Sequence, residues 1–286
     1  MFKKAVIPAA GLGTRLLPIT KELPKEMLPI FMKANDGRVC LKPMLQSVFE
    51  QLFDAGFREF CFIVGRGKRA IEDHFTPDNG FINDLKAKNR GGVAEELREF
   101  YKKIESSTLM FVNQPEPKGF GDAVLRAKPF VDGDFLVHAG DTYIMSEGND
   151  HIRRLMETHF RLGADSTFIV QEVEDPRQYG VIEAEEVREG LFKVKGAVEK
   201  PEKPLSKLAI MPVYSFKPVI FRALEEIEPG VRGELQLTDG IQRMIELGLE
   251  VYAIKLRQEE IRLDIGTPET CWEALSLSMK HLGCEL

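Results

Sequence analysis

The chain has 286 residues, a formal net charge of −6 and 43% hydrophobic residues, a size and composition that suit one large α/β domain with a substantial core. The acidic balance argues against a broad nucleic-acid surface, which needs clustered cations to displace counterions, but leaves room for one nucleotide in a local basic pocket. No apolar run approaches the roughly 20 residues of a membrane span, and "TRLLPITKELPKE" breaks the short apolar start too early for a signal peptide, so a cytoplasmic protein is expected.

In chain order, "KKAVIPA" reads as a buried strand, and the glycine loop Gly11-Leu12-Gly13 follows it directly. Between "KEMLPI" and "KPML" the stretch "FMKANDGRVCL", residues 31–41, carries the turn signal "NDG", which predicts a small hairpin. Met44, Leu45, Val48, Phe49, Leu52 and Phe53 recur on one helical face that ends at Gly56. "EFCFIVG", "TLMFVNQ" and "DFLVHAGD" are further strands, with the helical "GFGDAVLRAKPF" between the last two. Residues 76–107 are rich in charge and helical in pattern, and read as a solvated excursion. From residue 165 strands grow denser ("DSTFIVQEV", "GVIEAE", "LFKVKGAVEK", "LAIMPVYSF"), and helices around "QLTDGIQRMIELG" and "TPETCWEALSLSMKHL" follow. Strand–helix alternation predicts an α/β fold whose mixed sheet is mostly parallel, with helices on both faces. Ligands in such sheets bind beyond the carboxyl ends of the strands, where the glycine loop, "NQPEP" and "HAGD" all fall.

Cys40, Cys61, Cys271 and Cys284 are scattered without a CxxC pair, and the five histidines form no HxxxH pair, so neither a disulfide framework nor a zinc site is expected. Gly11 and Gly13 begin a dinucleotide fingerprint, but Leu16 stands where the third glycine belongs. No stretch matches a Walker loop; "VGRGKRA" lacks the first glycine and the Ser/Thr. The pattern present is G-x-G-T-R followed by "PKEMLP". Arg15 offers a planar fork and Lys25 a compact point charge beside backbone N–H groups, an arrangement suited to a triphosphate. Asp132 and Asp134 in "VDGDF" form a D-x-D string of the kind metal-dependent glycosyltransferases use, but they precede their strand and read as a turn.

The stretch "AVIPAAGLGTRLLPITKELPKEMLPI" resembles the signature of the sugar-1-phosphate nucleotidylyltransferases, most closely the UTP–glucose-1-phosphate uridylyltransferases. "NQPEPKGFGDAVL", "HAGD", "QYGVIE", "VEKP", "GELQLTDGI" and "LDIGTPE" follow in the family's order, so the likeness spans almost the whole chain. The resemblance implies a Rossmann-like nucleotidyltransferase fold as a single domain, with a nucleotide-binding part over about 1–145 and a sugar-binding part over about 146–286. It implies UTP and glucose 1-phosphate as substrates, Mg²⁺ dependence and a homo-oligomer. Ala9, Ala10, Gly11 and Gly13 are then the nucleotide loop, with Gln114 and Gly119 at the base. Asp141 and Asp264 are the magnesium aspartates, although each alone would also suit a turn. Arg15, Lys25 and Lys200 carry the catalytic charge, and Gly180, Glu199 and Glu234 join Lys200 on the sugar side. Glu199 and Lys200 can line one site only if their strand ends there, which Pro201 favours. The motifs fix reaction type better than base or sugar. A relative using dTTP or GTP and a non-catalytic nucleotide-sugar-binding regulator remain as alternatives.

Overall fold

The computed structural model describes residues 3–230 and 233–283. Its first half runs β1 (Lys4–Pro8), β2 (Pro29–Lys33), β3 (Val39–Pro43), α1 (Met44–Asp54), β4 (Glu59–Val64), α2 (Arg69–His74), α3 (Asn79–Ala87), α4 (Gly91–Glu105), β5 (Thr108–Asn113), α5 (Phe120–Arg126), β6 (Phe135–His138) and β7 (Thr142–Met145). The second half adds α6 (Asp150–Leu162), β8 (Ser166–Glu172), β9 (Gly180–Arg188), β10 (Leu191–Glu199), β11 (Leu208–Phe216), α7 (Val219–Glu225), α8 (Leu237–Glu246), β12 (Val251–Lys255), β13 (Ile261–Asp264) and α9 (Pro268–His281). Cys284 lies outside the described residues.

One sheet crosses both halves in the order β5-β4-β1-β6-β11-β8-β12-β10-β9. Its central strands bury both faces, which is why they read as continuous apolar runs rather than as alternation. In β1, Ala5 and Ile7 face one core, with Phe60 and Phe62 of β4 and the helices α1 and α4. Val6 faces the other, with Cys61, Ile63 and the helices α5, α7 and α8. The pairs β4–β5, β1–β4, β1–β6 and β8–β12 are parallel. The pairs β6–β11, β11–β8, β12–β10 and β10–β9 are antiparallel. The sheet is thus mixed, and parallel pairing dominates only its first half. The antiparallel strands β9 and β10 are joined by Glu189 and Gly190 alone, with Gly190 in the left-handed region at φ 68°.

The charged stretch 76–107 is not a free excursion. Ala94, Phe100, Tyr101 and Ile104 lie on one face of α4 and are buried, and the Phe100 ring meets Phe49 edge-on with centroids 6.0 Å apart. Residues 31–41 do form the expected hairpin: β2 pairs antiparallel with β3. Among the described residues no helix is long and apolar enough to cross a membrane.

The strand order places a switch point at β1. The chain moves from β1 to β4 to β5 on one side, then crosses by α5 to β6 on the other. Loops leaving β1 and β6 diverge there, so a crevice opens beyond their carboxyl ends.

Four histidines sit in or against the core. Burial lowers the pKa of His74, His138 and His159 to about 4 and that of His151 to about 3. These groups fold neutral, whereas an unfolded histidine takes its proton near pH 6.5. Their stabilising contribution is therefore present above about pH 6.5 and is lost as pH falls towards 4. Each should contribute a slope of about 1.4 kcal/mol per pH unit within that window. Denaturant midpoints at pH 7.5, 6 and 5 are expected to fall steeply; equal midpoints would show that the imidazoles protonate freely in the fold.

Candidate active site

The last sheet bond of the first strand is from Ala9 N–H to Ile63 O, at 2.8 Å. Beyond it, the N–H groups of residues 10 to 15 have no hydrogen-bond partner among the described residues. Gly13 adopts φ 64°, which turns the loop, and the Thr20 hydroxyl donates to its carbonyl at 2.7 Å. A run of unpaired N–H groups at the switch point is an anion cradle by geometry.

This loop forms one wall of a cavity of about 390 Å³. Ala10, Gly11, Gly13 and Arg15 line it from the first strand, and Lys25 from the following turn. Gln114 and Gly119 enter from the loop after β5, and Asp141 from the turn after β6. Lys200 and Glu234 come from the second half of the chain. Ala9, Gly180, Glu199 and Asp264 lie outside the lining. A larger groove of about 1390 Å³ between α6 and the β9–β10 turn shares no residue with this cavity. Its walls mix Arg161 and Arg188 with Glu157 and Glu186 and carry no strand-end glycine loop.

Glycine is required where the two halves meet. At Gly119, with φ 103°, an added Cβ would fall 2.4 Å from Leu235 O. At Gly121 it would fall 2.8 Å from the same atom. The close approach is pinned by Leu235 N–H to Lys118 O at 2.7 Å and Gly121 N–H to Leu235 O at 2.8 Å. This crossing carries Glu234 to the cavity rim, where Gln236 donates to its carboxylate at 2.7 Å.

The charges interlock. Lys25 Nζ donates to Asp141 Oδ2. Burial opposes the Lys25 ammonium, but Asp141 and Glu26 outweigh it and raise its pKa above the ordinary value. Burial also opposes the Asp141 carboxylate, and Lys25 overcomes that, so its pKa is lowered. Asp264 reaches the same place through the β7–β13 pair, where it stands opposite Thr142. The Thr142 hydroxyl approaches Asp264 Oδ1 at 3.4 Å, and Ile265 N–H donates to Asp141 O at 3.0 Å. The Asp264 pKa is raised, first by burial and then by the Asp141 charge. Two carboxylates that repel across a strand pair, with one cation between them and the loop, form an oxygen donor set that favours a further cation.

On the far side, β10 ends at Glu199 and Lys200 turns into the left-handed region at φ 42°. That turn lets Lys200 reach the cavity although its neighbour does not line it. Glu199 is engaged by the protein: Lys200 Nζ lies 2.8 Å from Oε1, and the Thr238 hydroxyl donates to Oε2 at 2.7 Å. Gly180 is packed against the same groups, since a Cβ there would lie 2.6 Å from Thr238 Oγ1 and 3.2 Å from Glu199 Oε2.

Two features escaped the sequence reading. Glu26 and Lys68 form a buried pair at 2.7 Å, joining the Lys25 turn to the "VGRGKRA" loop. Burial raises the Glu26 pKa, and Lys68 only partly offsets it. Asp122, buried at the start of α5, accepts from Gln114 at 2.7 Å. Only the position of Lys68 in a glycine-flanked loop hinted at the first, and nothing at the second.

Known proteins match this chain over almost its whole length. The family model described as nucleotidyl transferase matches residues 4–280. A Bacillus subtilis protein named UTP–glucose-1-phosphate uridylyltransferase is 39% identical over 269 residues, 92% of this chain and 86% of that one. A namesake from Pseudomonas aeruginosa is 34% identical over 99% of this chain and 98% of its own. A crystal structure of UDP-glucose pyrophosphorylase complexed with UDP-glucose superposes with a TM-score of 0.83 at 32% identity, covering 98% of this chain and all of that chain. The UTP-bound enzyme of Acinetobacter baumannii superposes with a TM-score of 0.81 at 28% identity over the full length of both. With the strand-end glycine loop, the interlocked charges and a match from one end of the chain to the other, this protein belongs to the nucleotidyl transferase family.

Proposed function

We propose that the protein transfers UMP from UTP to glucose 1-phosphate, giving UDP-glucose and pyrophosphate. The observation that carries this reading is the row of unpaired N–H groups over residues 10 to 15, flanked by Arg15 and Lys25 and faced across one cavity by Asp141 and Lys200. The names and lengths of the relatives support the choice of UTP and glucose 1-phosphate. The nucleophile is a phosphate oxygen that is already anionic, so no general base is needed. It attacks the α-phosphorus, the bond from that phosphorus to the bridging β-phosphate oxygen breaks, and pyrophosphate departs opposite the attacking oxygen. The obstacle is repulsion between two anions, which positioning and charge neutralisation lower.

The loop and Arg15 hold the outer phosphates, Lys25 the leaving side, and Lys200 the sugar phosphate. Gln114 and Gly119 meet the base, while Glu234 lies on the sugar side and Glu199 fixes Lys200. Asp141 and Asp264 fit Mg²⁺, because two carboxylate oxygens leave the remaining octahedral positions to water and phosphate. Bound there, Mg²⁺ would supply charge neutralisation on the phosphates.

Pyrophosphate release with Mg²⁺, glucose 1-phosphate and each common nucleoside triphosphate tests the reading. Release with UTP is expected. A preference for dTTP or GTP would move the chain to another base within the family, and silence with every nucleotide and sugar phosphate would leave a binding protein. Lys200→Ala is expected to raise the KM for glucose 1-phosphate about 10- to 100-fold with a smaller effect on UTP, since it removes one charge-assisted phosphate contact. Equal losses for both substrates would place Lys200 elsewhere in the mechanism.

A further inference from the structure

The loop after β5 contains a buried amide whose orientation is fixed by its neighbours. Gln114 Nε2 has two hydrogens and spends both inside the protein, on Gly119 O at 3.1 Å and Asp122 Oδ2 at 2.7 Å. Reversing the amide would aim its oxygen at a carbonyl and a carboxylate, two acceptors, so chemistry alone selects the observed orientation. Asp122 is itself held, with Arg126 Nη2 at 3.2 Å from Oδ1. Among the described residues the Gln114 side chain bonds only through Nε2, no donor reaches its Oε1, and the residue lines the active-site cavity. The nearby Gly119 N–H is also unpaired among the described residues.

We propose that Asp122 sets the base preference of this site by locking the Gln114 amide so that it presents only an acceptor to the bound base. Uracil and thymine carry an N3–H that such an acceptor takes, beside carbonyls suited to the Gly119 N–H. Cytosine carries a lone pair at N3, and adenine carries one at N1. Each would face Oε1 with acceptor against acceptor, leaving two buried polar atoms unpaired. Asp122 acts through Gln114 and touches no substrate; it is a positioning residue. An amide with no such partner could turn over and accept either class of base.

The inference rests on reading the cavity as a UTP site, and the experiment separates the two. kcat/KM is measured with UTP and CTP for the wild type, Gln114→Leu, Asp122→Leu and Asp122→Asn. The wild type is expected to prefer UTP strongly, and Gln114→Leu to weaken UTP use. Asp122→Leu is expected to lower the UTP/CTP ratio by about 10-fold or more, because the freed amide can donate to cytosine. Asp122→Asn, which keeps an acceptor but can also donate, is expected to lower it by about 3-fold and serves if the leucine variant fails to fold. A merely structural role would depress both nucleotides alike and leave the ratio unchanged. A UTP-selective wild type with unchanged ratios in the Asp122 variants overturns the role of Asp122 alone. A wild type without preference for UTP overturns the reading of the cavity as a UTP site.

Discussion

Asp141→Ala is expected to lower Mg²⁺-dependent turnover by about 10³-fold or more while the protein stays folded. Asp141 stands in the turn after β6, lines the cavity and is held ionised by Lys25. Its removal takes away one proposed metal carboxylate and the partner that positions the Lys25 ammonium. Stability should change by only about 1 kcal/mol, because loss of the ion pair is partly offset by relief of the repulsion that raises the Asp264 pKa. Asp132→Asn is the control. Asp132 pairs with Lys4 at 2.9 Å on the surface, and neither it nor Asp134 lines the cavity. The D-x-D string therefore has no part in the proposed chemistry, and turnover should stay within about two-fold, as for a surface change away from the site. Steady-state kinetics with a thermal melt of each variant decides both. Near-normal activity of Asp141→Ala would remove Asp141 from the metal site.

The parts of this site that were legible in the sequence are those set by local chain geometry. A glycine loop, a glutamine and an aspartate each followed an apolar run, and parallel strands bring such ends together at one edge of a sheet. Pro201 correctly indicated that β10 stops beside Glu199. What was not legible depended on partners remote in sequence. Apolar runs such as those of β8 and β11 look alike whether their neighbours run parallel or antiparallel, so the reversal in the second half left little pattern apart from the Glu189-Gly190 turn. In α4 the buried Phe100, Tyr101 and Ile104 are spaced through a highly charged stretch, and composition hid the face they share. Asp122 reads as an ordinary first-turn acid favoured by the helix dipole. Only the fold brings it to Gln114.

Lys25→Met is expected to lower turnover about 10²-fold and to raise the KM for UTP, with little change in the KM for glucose 1-phosphate. The side chain is anchored at its root by the buried Glu26–Lys68 pair and at its tip by Asp141, so its ammonium stands in one place before any substrate arrives. A cation fixed in advance lowers the barrier without reorganisation, which a mobile surface lysine cannot do. Stability should fall by about 1–3 kcal/mol, because Asp141 then faces Asp264 and Glu26 without its nearest counter-charge. Lys25→Arg tests position separately from charge. Gly11 lies against the lysine, where a Cβ would already be 3.5 Å from Cε, so the longer guanidinium has to pass the loop that it should serve. Arginine should therefore recover most of the stability, since the counter-charge returns, but only about a tenth of the turnover, since position does not. Full recovery of turnover by arginine would mean that the site needs only a positive charge here, and that the anchoring by Glu26 and Lys68 serves the fold rather than the reaction.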